Sequence, residues 1–415
     1  MIEKSLTKKI AEIKANPNSK AFIIADAKDA DMAFGISSTG HYSPEYHHGE
    51  LKCKSIQEYR DMMRKVVKQG LVDIMLMSAS SNEVLTIQER LFEHSHITPA
   101  GRANDTTDIH VLRGSSYITM ASRPFRTTTI DHLQCGKAEC APEERQMGAN
   151  LGLYSMTFNN DLDRDLASLE AFKQFRLEAE LKGFHYFLEI FDPNLPGVVD
   201  PDLLGHFIND AICRTLAGVT ERGRPLFLKI VYHGPKAMEE LAHYDRDLII
   251  GILGGASGTT YDAFKLISEA QKYGARVALF GRKINHAENQ LAFIQFLRMI
   301  VDGEITPEEA VKAYHGVLQE MGIKPQRSLE EDMQVRTNVM SYGGSGTTIS
   351  IPAAAPKPAA SAPASQAAPV PRPAPVASQP TSVKPVSEDG EPDFSQMTAQ
   401  EKIDYNLKRL SRILG

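Results

Sequence analysis

The chain has 415 residues, room for two or three domains or for one large barrel with appendages. Lys and Arg total 46 against 52 Asp and Glu, and this net charge of −6 excludes the basic stripe of a nucleic-acid binder. No apolar run approaches the ~18 residues needed to span a bilayer, and four cysteines are too few for a secreted disulfide scaffold. The composition therefore predicts a cytoplasmic globular protein with reduced cysteines.

The N-terminus, MIEKSLTKKIAEIKANPNSK, is charged and helical and lacks the apolar centre of a signal peptide. From there to about residue 350, short apolar strands alternate with segments of helical period. Strands are predicted at Ala21–Ala25, Asp73–Met77, Ser116–Ala121, Leu151–Phe158, Phe184–Phe191, Pro225–Tyr232, Leu248–Leu253 and Arg276–Phe280. Helices are predicted at Ile56–Gln69, Asp163–Leu181, Asp202–Val219, Thr259–Tyr273 and Glu288–Val301. Eight strands with helical crossovers indicate an α/β fold, a (β/α)8 or TIM barrel, over residues 1–350. An open doubly wound sheet is the other arrangement, and the lack of GxGxxG after the first strand weakens it. The third strand is the least defined, because His94–Leu133 also reads as a hairpin or insertion.

Several residues invite a metal reading and do not sustain it. His41, His47 and His48 in GHYSPEYHHGEL fit no closed zinc spacing and read as surface or lid residues, as do His94 and His96. Cys135 and Cys140 lack a second cysteine pair. No metal and no cofactor is expected.

The sixth strand, RPLFLKIVYHG, alternates so that Leu228 and Ile230 face one way and Phe227, Lys229 and Val231 the other. The outer face of a barrel strand must be apolar to meet helices, so Lys229 is predicted to point inward. The same rule turns Glu189 of the fifth strand inward, and places Asp26 inward at the end of the first strand, with Ile23 and Ala25 outside. These three groups are expected at the mouth. Burial favours the neutral amine of a lysine, which attacks a carbonyl to form a Schiff base, and a neighbouring carboxyl can shuttle the protons. A buried ion pair that only fills the barrel is the competing reading.

The loops after the seventh and eighth strands are where barrels commonly hold phosphate. There, Gly254, Gly255 and Ala256 would offer backbone N–H groups, and a helix starting near Thr259 its positive end. Gly281 and Arg282 would add close backbone approach and a guanidinium. His233, in the loop after the lysine strand, is a candidate phosphate or hydroxyl contact.

These last four strands resemble the class I, Schiff-base aldolases of the DeoC/LacD superfamily, especially tagatose-bisphosphate aldolase and the archaeal-type fructose-bisphosphate aldolases. The resemblance is carried by YFLEI (186–190), LFLKIVY (226–232), ILGGAS (252–257) and LFGRKI (279–284), over about residues 147–320. IIADAKD resembles the family's first strand, with Lys28 where relatives often carry a basic residue. The resemblance implies Lys229 as the Schiff-base lysine, Glu189 as acid/base, Asp26 as a polar partner, and Gly255, Gly281 and Arg282 around a sugar phosphate. It breaks at the fourth strand, where GANLGLYSMTFNND offers Tyr154 and Ser155 in place of a second lysine. GRANDTTDIHVLRG (101–114) matches nothing in the family. Its Arg102, Asp105, Asp108 and His110 form either a substrate-selecting loop or a solvated one.

After the flexible exit Ser341–Thr348, residues 351–394 are rich in Pro, Ala and Ser and predict a disordered, extended linker. In residues 395–415, Thr398 and Glu401 form a capping box, and Ala399, Ile403, Leu407, Leu410 and Leu414 share one helical face. So short a helix needs a docking partner. The pairing of linker and helix resembles the encapsulation peptides of bacterial microcompartment cargo, which implies a shell-protein partner. Like other such barrels, the protein is expected to be a homo-oligomer. The competing functions are a metal-dependent barrel lyase, a sugar-phosphate isomerase, and a non-catalytic scaffold recruited through its tail.

Overall fold

The computed structural model describes residues 2–16, 18–40, 53–112, 114–255 and 258–336. The histidines at 41, 47 and 48, the exit at 341–348, the linker and the terminal helix therefore lie outside the described residues. Strands β1 (Ile23–Lys28), β2 (Ile74–Met77), β3 (Thr98–Arg102), β6 (Leu151–Thr157), β7 (His185–Phe191), β8 (Leu228–Ile230), β9 (Gly251–Leu253) and β10 (Val277–Phe280) close into a parallel barrel. A two-stranded antiparallel ribbon, β4 (Asp105–Thr106) and β5 (Pro124–Phe125), stands in the β3–β6 connection.

Helices run between and beyond the strands: α1 (Ser5–Ala15), α2 (Ile56–Gln69), α3 (Ala79–Asn82), α4 (Ile130–Cys135), α5 (Leu162–Leu181), α6 (Leu204–Leu216), α7 (Pro235–Tyr244), α8 (Thr260–Lys272), α9 (Arg282–Asn285), α10 (Gln290–Val301), α11 (Pro307–Glu320) and α12 (Leu329–Asp332). Several of them start with ordinary capping chemistry. Ser55 and Glu58 cap α2 reciprocally, and Thr306 and Glu309 cap α11 in the same way.

Six barrel strands, with Phe227 just before β8 and Ile249 before β9, contribute to one interior cluster, which includes Ile23, Ile74, Ala100, Phe187, Phe227 and Leu279. The rings of Phe187 and Phe227 stack 4.6 Å apart at its centre. Leu6 of α1 joins this cluster and closes the end opposite the mouth. A second, larger cluster fills the layer between the strands and the helices.

Three sequence expectations need correction. The third strand is Thr98–Arg102, whereas Tyr117–Thr119, inside the predicted strand, forms a 310 turn. TPAGR carries no apolar run, and its glycine is required by contact: a Cβ on Gly101 would lie 2.5 Å from Leu133 of α4. The first strand is turned over relative to expectation. Ile23, Ala25 and Ala27 are interior, while Asp26 and Lys28 share rows with Met75, Met77 and Phe280, which pack in the helix layer. Alternation could not reveal this, because a strand apolar on both faces gives no inside–outside signal. Finally, Cys135 and Cys140 are joined by a disulfide, with Cα atoms 6.0 Å apart across the turn after α4, while Cys53 and Cys213 are free.

Candidate active site

One inward step above the Phe187–Phe227 stack, Glu189 and Lys229 occupy facing positions in the β7–β8 register. Lys229 Nζ lies 2.5 Å from Glu189 Oε1, and both side chains are essentially inaccessible. The second oxygen, Glu189 Oε2, accepts a hydrogen bond from Ser155 Oγ at 2.7 Å. Ser155 comes from β6, directly opposite Glu189 in register. Three adjacent strands thus aim a base, an acid and a hydroxyl at one point above the packed interior.

Ser155 is itself gripped. Its backbone N–H donates to Asn104 Oδ1 at 2.6 Å, and its carbonyl accepts from Asn104 Nδ2 at 2.8 Å. Asn104 follows β3, and the preceding inward residue, Arg102, is fully buried. Its guanidinium meets Asp29 at 2.6 Å and Asp105 at 2.7 Å, and Nε also donates to the Asn104 carbonyl at 3.0 Å. Burial pushes the Asp105 carboxyl up, against the pull of Arg102. Nearby, Asp108 accepts from Ser122 Oγ at 2.7 Å and Thr157 Oγ1 at 2.9 Å. The polar run 102–108 is therefore a buried, paired network and not a solvated loop. His110 packs differently, edge-on to Phe125 at 5.0 Å.

The other sequence-predicted residues are distributed around this centre. Asp26 does not join Lys229 and Glu189. It pairs with Lys28 at 3.0 Å in the layer behind β1, and burial pushes its carboxyl up. His233 Nε2 pairs with Asp192 at 2.8 Å, both side chains buried. Tyr154 faces away from Ser155's site and stacks on Phe175 of α5 at 4.4 Å. His94 and His96 precede β3 at the far end of the barrel, where the His96 carbonyl holds the Ser5 N–H.

At the loops after β9 and β10, which the sequence marks for phosphate, the picture is mixed. Gly255 has a left-handed backbone, φ 62°. Gly254 N–H, however, donates to the Leu279 carbonyl at 2.9 Å, and a Cβ there would strike the Phe280 ring at 2.2 Å. Gly281 approaches the Ala27 carbonyl, which a Cβ would meet at 2.6 Å. Arg282 lays its guanidinium 5.3 Å over the Phe34 ring. At the N-terminus of α8 three N–H groups are already engaged within the chain: Thr259 N–H donates to Asp262 and Thr260 N–H to Asp332, each at 2.7 Å, and Asp262 N–H donates to Thr259 Oγ1 at 3.0 Å. Among the described residues, no group of three His, Cys, Asp or Glu is arranged to hold a metal ion, and no helix is long and apolar enough to cross a membrane.

Sequence reasoning missed Asn104 and Asp29. Both are short polar residues just past strand ends, where neither period nor hydropathy marks them. The dense run of polar residues in 101–108 was the available hint, and its Gly101, Asn104, Asp105 and Asp108 read equally well as a turn.

The arrangement defines a closed (β/α)8 barrel with a buried lysine–carboxylate pair at the carboxyl ends of its strands, where barrel active sites lie. No protein-family profile matches the chain, and no curated protein sequence does. Solved structures do. A Schiff-base-forming fructose-1,6-bisphosphate aldolase superposes with a TM-score of 0.50 at 14% identity, covering 72% of this chain and 100% of that one. An archaeal fructose 1,6-bisphosphate aldolase gives 0.49 at 13% identity, with coverage of 72% and 100%. A Corynebacterium glutamicum protein gives 0.47 at 16% identity, with 72% and 94%. What the chain shares with the first of these is the barrel fold.

Proposed function

We propose that the barrel is a class I aldolase-type lyase that uses Lys229 to form a Schiff base with a phosphorylated ketose, without a metal. The observation that carries this reading is the inward, in-register Lys229–Glu189 pair, backed by Ser155. A buried pair is weak evidence for stability alone, since apolar residues of similar size do as well. Its position at the mouth, with a third group fixing the carboxylate, suits chemistry.

The sequence of events follows from the atoms present. Glu189 takes a proton from the Lys229 ammonium, freeing the amine to attack the ketose carbonyl carbon. Returned to the carbinolamine hydroxyl, that proton lets water leave, and the C=N bond forms as a protonated iminium. The iminium then draws in the electron pair of the bond between its neighbouring carbon and the hydroxyl-bearing carbon beyond, while a base removes the proton from that hydroxyl. An aldehyde leaves and an enamine remains, to be protonated and hydrolysed back to the free amine. Ser155 holds Glu189 Oε2 throughout, keeping Oε1 on the nitrogen. Gly255, Gly281 and Arg282, at the ends of β9 and β10, are the groups read as holding the substrate phosphate, with His233 after β8 as a further contact. Gly254 and Lys28 are not among them, because the Gly254 N–H is taken by the Leu279 carbonyl and Lys28 is paired with Asp26 behind β1.

Borohydride reduction in the presence of dihydroxyacetone phosphate or fructose 1,6-bisphosphate, followed by peptide mapping, tests the reading. An adduct on Lys229, absent from Lys229→Ala, is expected, and turnover that survives EDTA. No adduct with any ketose phosphate, alongside activity lost to EDTA, would overturn it. We further read residues 351–415 as a microcompartment-targeting tail. Removing them should leave the turnover rate unchanged and abolish co-localisation with a shell.

A further inference from the structure

Helix α5 carries apolar residues on two faces. Ser168, Phe172, Phe175 and Ala179 are buried beneath it. On the opposite side Leu162, Leu166, Leu177 and Leu181 are 75, 56, 48 and 87% exposed. At ~100° per residue these four lie within an arc of about 100° that points away from the barrel. Such a stripe on a soluble surface marks a contact with another molecule.

The spacing of the stripe identifies the molecule. Leu162 and Leu181 are centred on the point between Ala171 and Phe172, and so are Leu166 and Leu177. Glu170 and Lys173, exposed within the same stripe, share that centre. They pair loosely within the helix at 3.2 Å, each more than half exposed. A two-fold axis through the centre lays α5 antiparallel on the α5 of a second copy. Leu162 then meets the other copy's Leu181, Leu166 meets its Leu177, and Glu170 faces its Lys173 twice over. A parallel pairing would instead oppose Glu170 to Glu170. The one unfavourable contact, Asp163 against Glu180, falls at the rim, where solvent screens it.

We propose that the outer face of α5 is a two-fold self-association surface whose occupant is a second copy of this chain. The interface is isologous, as a two-fold axis demands. Its leucines supply the apolar core, and the central Glu170–Lys173 pairs set orientation and register, as a single polar layer does in a coiled coil. The inference is independent of the catalytic reading, because its test is of mass and not of turnover.

Light scattering or sedimentation of the full chain, over a wide concentration range, tests it. The wild type should weigh at least two chains. Leu166→Glu with Leu177→Glu should lower that mass twofold while circular dichroism stays unchanged. Glu170→Lys alone, or Lys173→Glu alone, should weaken the assembly, and the two together should restore it. That rescue separates an interface from a folding defect. A wild type that is monomeric at every concentration would overturn the proposal, as would an assembly unmoved by the leucine pair or a double charge swap no better than the singles. If residues 395–415 cover this face instead, deletion of 351–415 would convert a monomer into a dimer, and the proposal fails.

Discussion

Asn104 holds Ser155 by both sides of its peptide, with Oδ1 on the N–H at 2.6 Å and Nδ2 on the carbonyl at 2.8 Å. One side chain from the end of β3 thus takes over a backbone pairing that strand β3 stops short of supplying to β6. Asn104→Ala leaves two buried backbone groups unsatisfied. It should cost about 1–3 kcal/mol, measured as a shift in the denaturant midpoint at constant slope. Because Ser155 orients Glu189, the variant should also lose more in kcat than in KM.

Lys229 and Glu189 stabilise each other only as a pair. Lys229→Met strands a buried carboxylate and should destabilise the barrel by about 3–5 kcal/mol. Lys229→Met combined with Glu189→Gln should recover much of that loss without recovering activity. Chemical denaturation of the two single variants and the double variant provides the check. Additive losses would mean that the two groups do not interact.

Asp31 lies in the short 310 turn after β1. Burial lifts its carboxyl from the ordinary 3.8 to about 6, opposed by a hydrogen bond from Ser78 and assisted by the charge of Asp29. The folded state therefore holds this proton to higher pH than the unfolded chain. Stability from this group is full below pH 3.8, declines as pH rises through about 6, and is level above. Asp31→Asn should match the wild type at the acid end and gain on it steadily across that window. Melting temperatures against pH will show the gap opening, and a constant gap would refute the assignment.

The Cys135–Cys140 bridge closes a short loop, for which chain entropy alone gives about 2 kcal/mol. Under denaturing, non-reducing conditions a thiol assay should count the two sulfhydryls of Cys53 and Cys213, and four after reduction. Cys135→Ser with Cys140→Ser should lower the melting temperature by as much as reductant lowers that of the wild type.

The parts of this molecule legible in its sequence are those where packing and period agree. Ile56–Gln69 is a helix to the residue, because its apolar positions recur at helical spacing between a capping box and Gly70. LFLKIVY and YFLEI read correctly because a lone charge in an apolar strand has only one tolerable direction. IIADAKD misled for the opposite reason: two charges on the helix-facing side neutralise each other, so Asp26 and Lys28 could occupy a face reserved for apolar residues. TPAGR was hidden because its neighbours demand small side chains, and propensity rewards large ones. The Asn104 clasp and the Arg102 bridge join residues distant in sequence through geometry that no local pattern encodes.

The chain leaves the described barrel at the rim of the mouth. Asp332 caps α8, its other oxygen accepts from His315 at 3.0 Å, the Gln334 carbonyl holds Thr259, and the Arg336 N–H reaches Asp262. The last described residues are thus held beside the loop after β9, at the end of the barrel that carries the Lys229–Glu189 pair. The described chain therefore ends on the same side of the barrel as Lys229 and Glu189, so that any segment past residue 336 starts from the mouth.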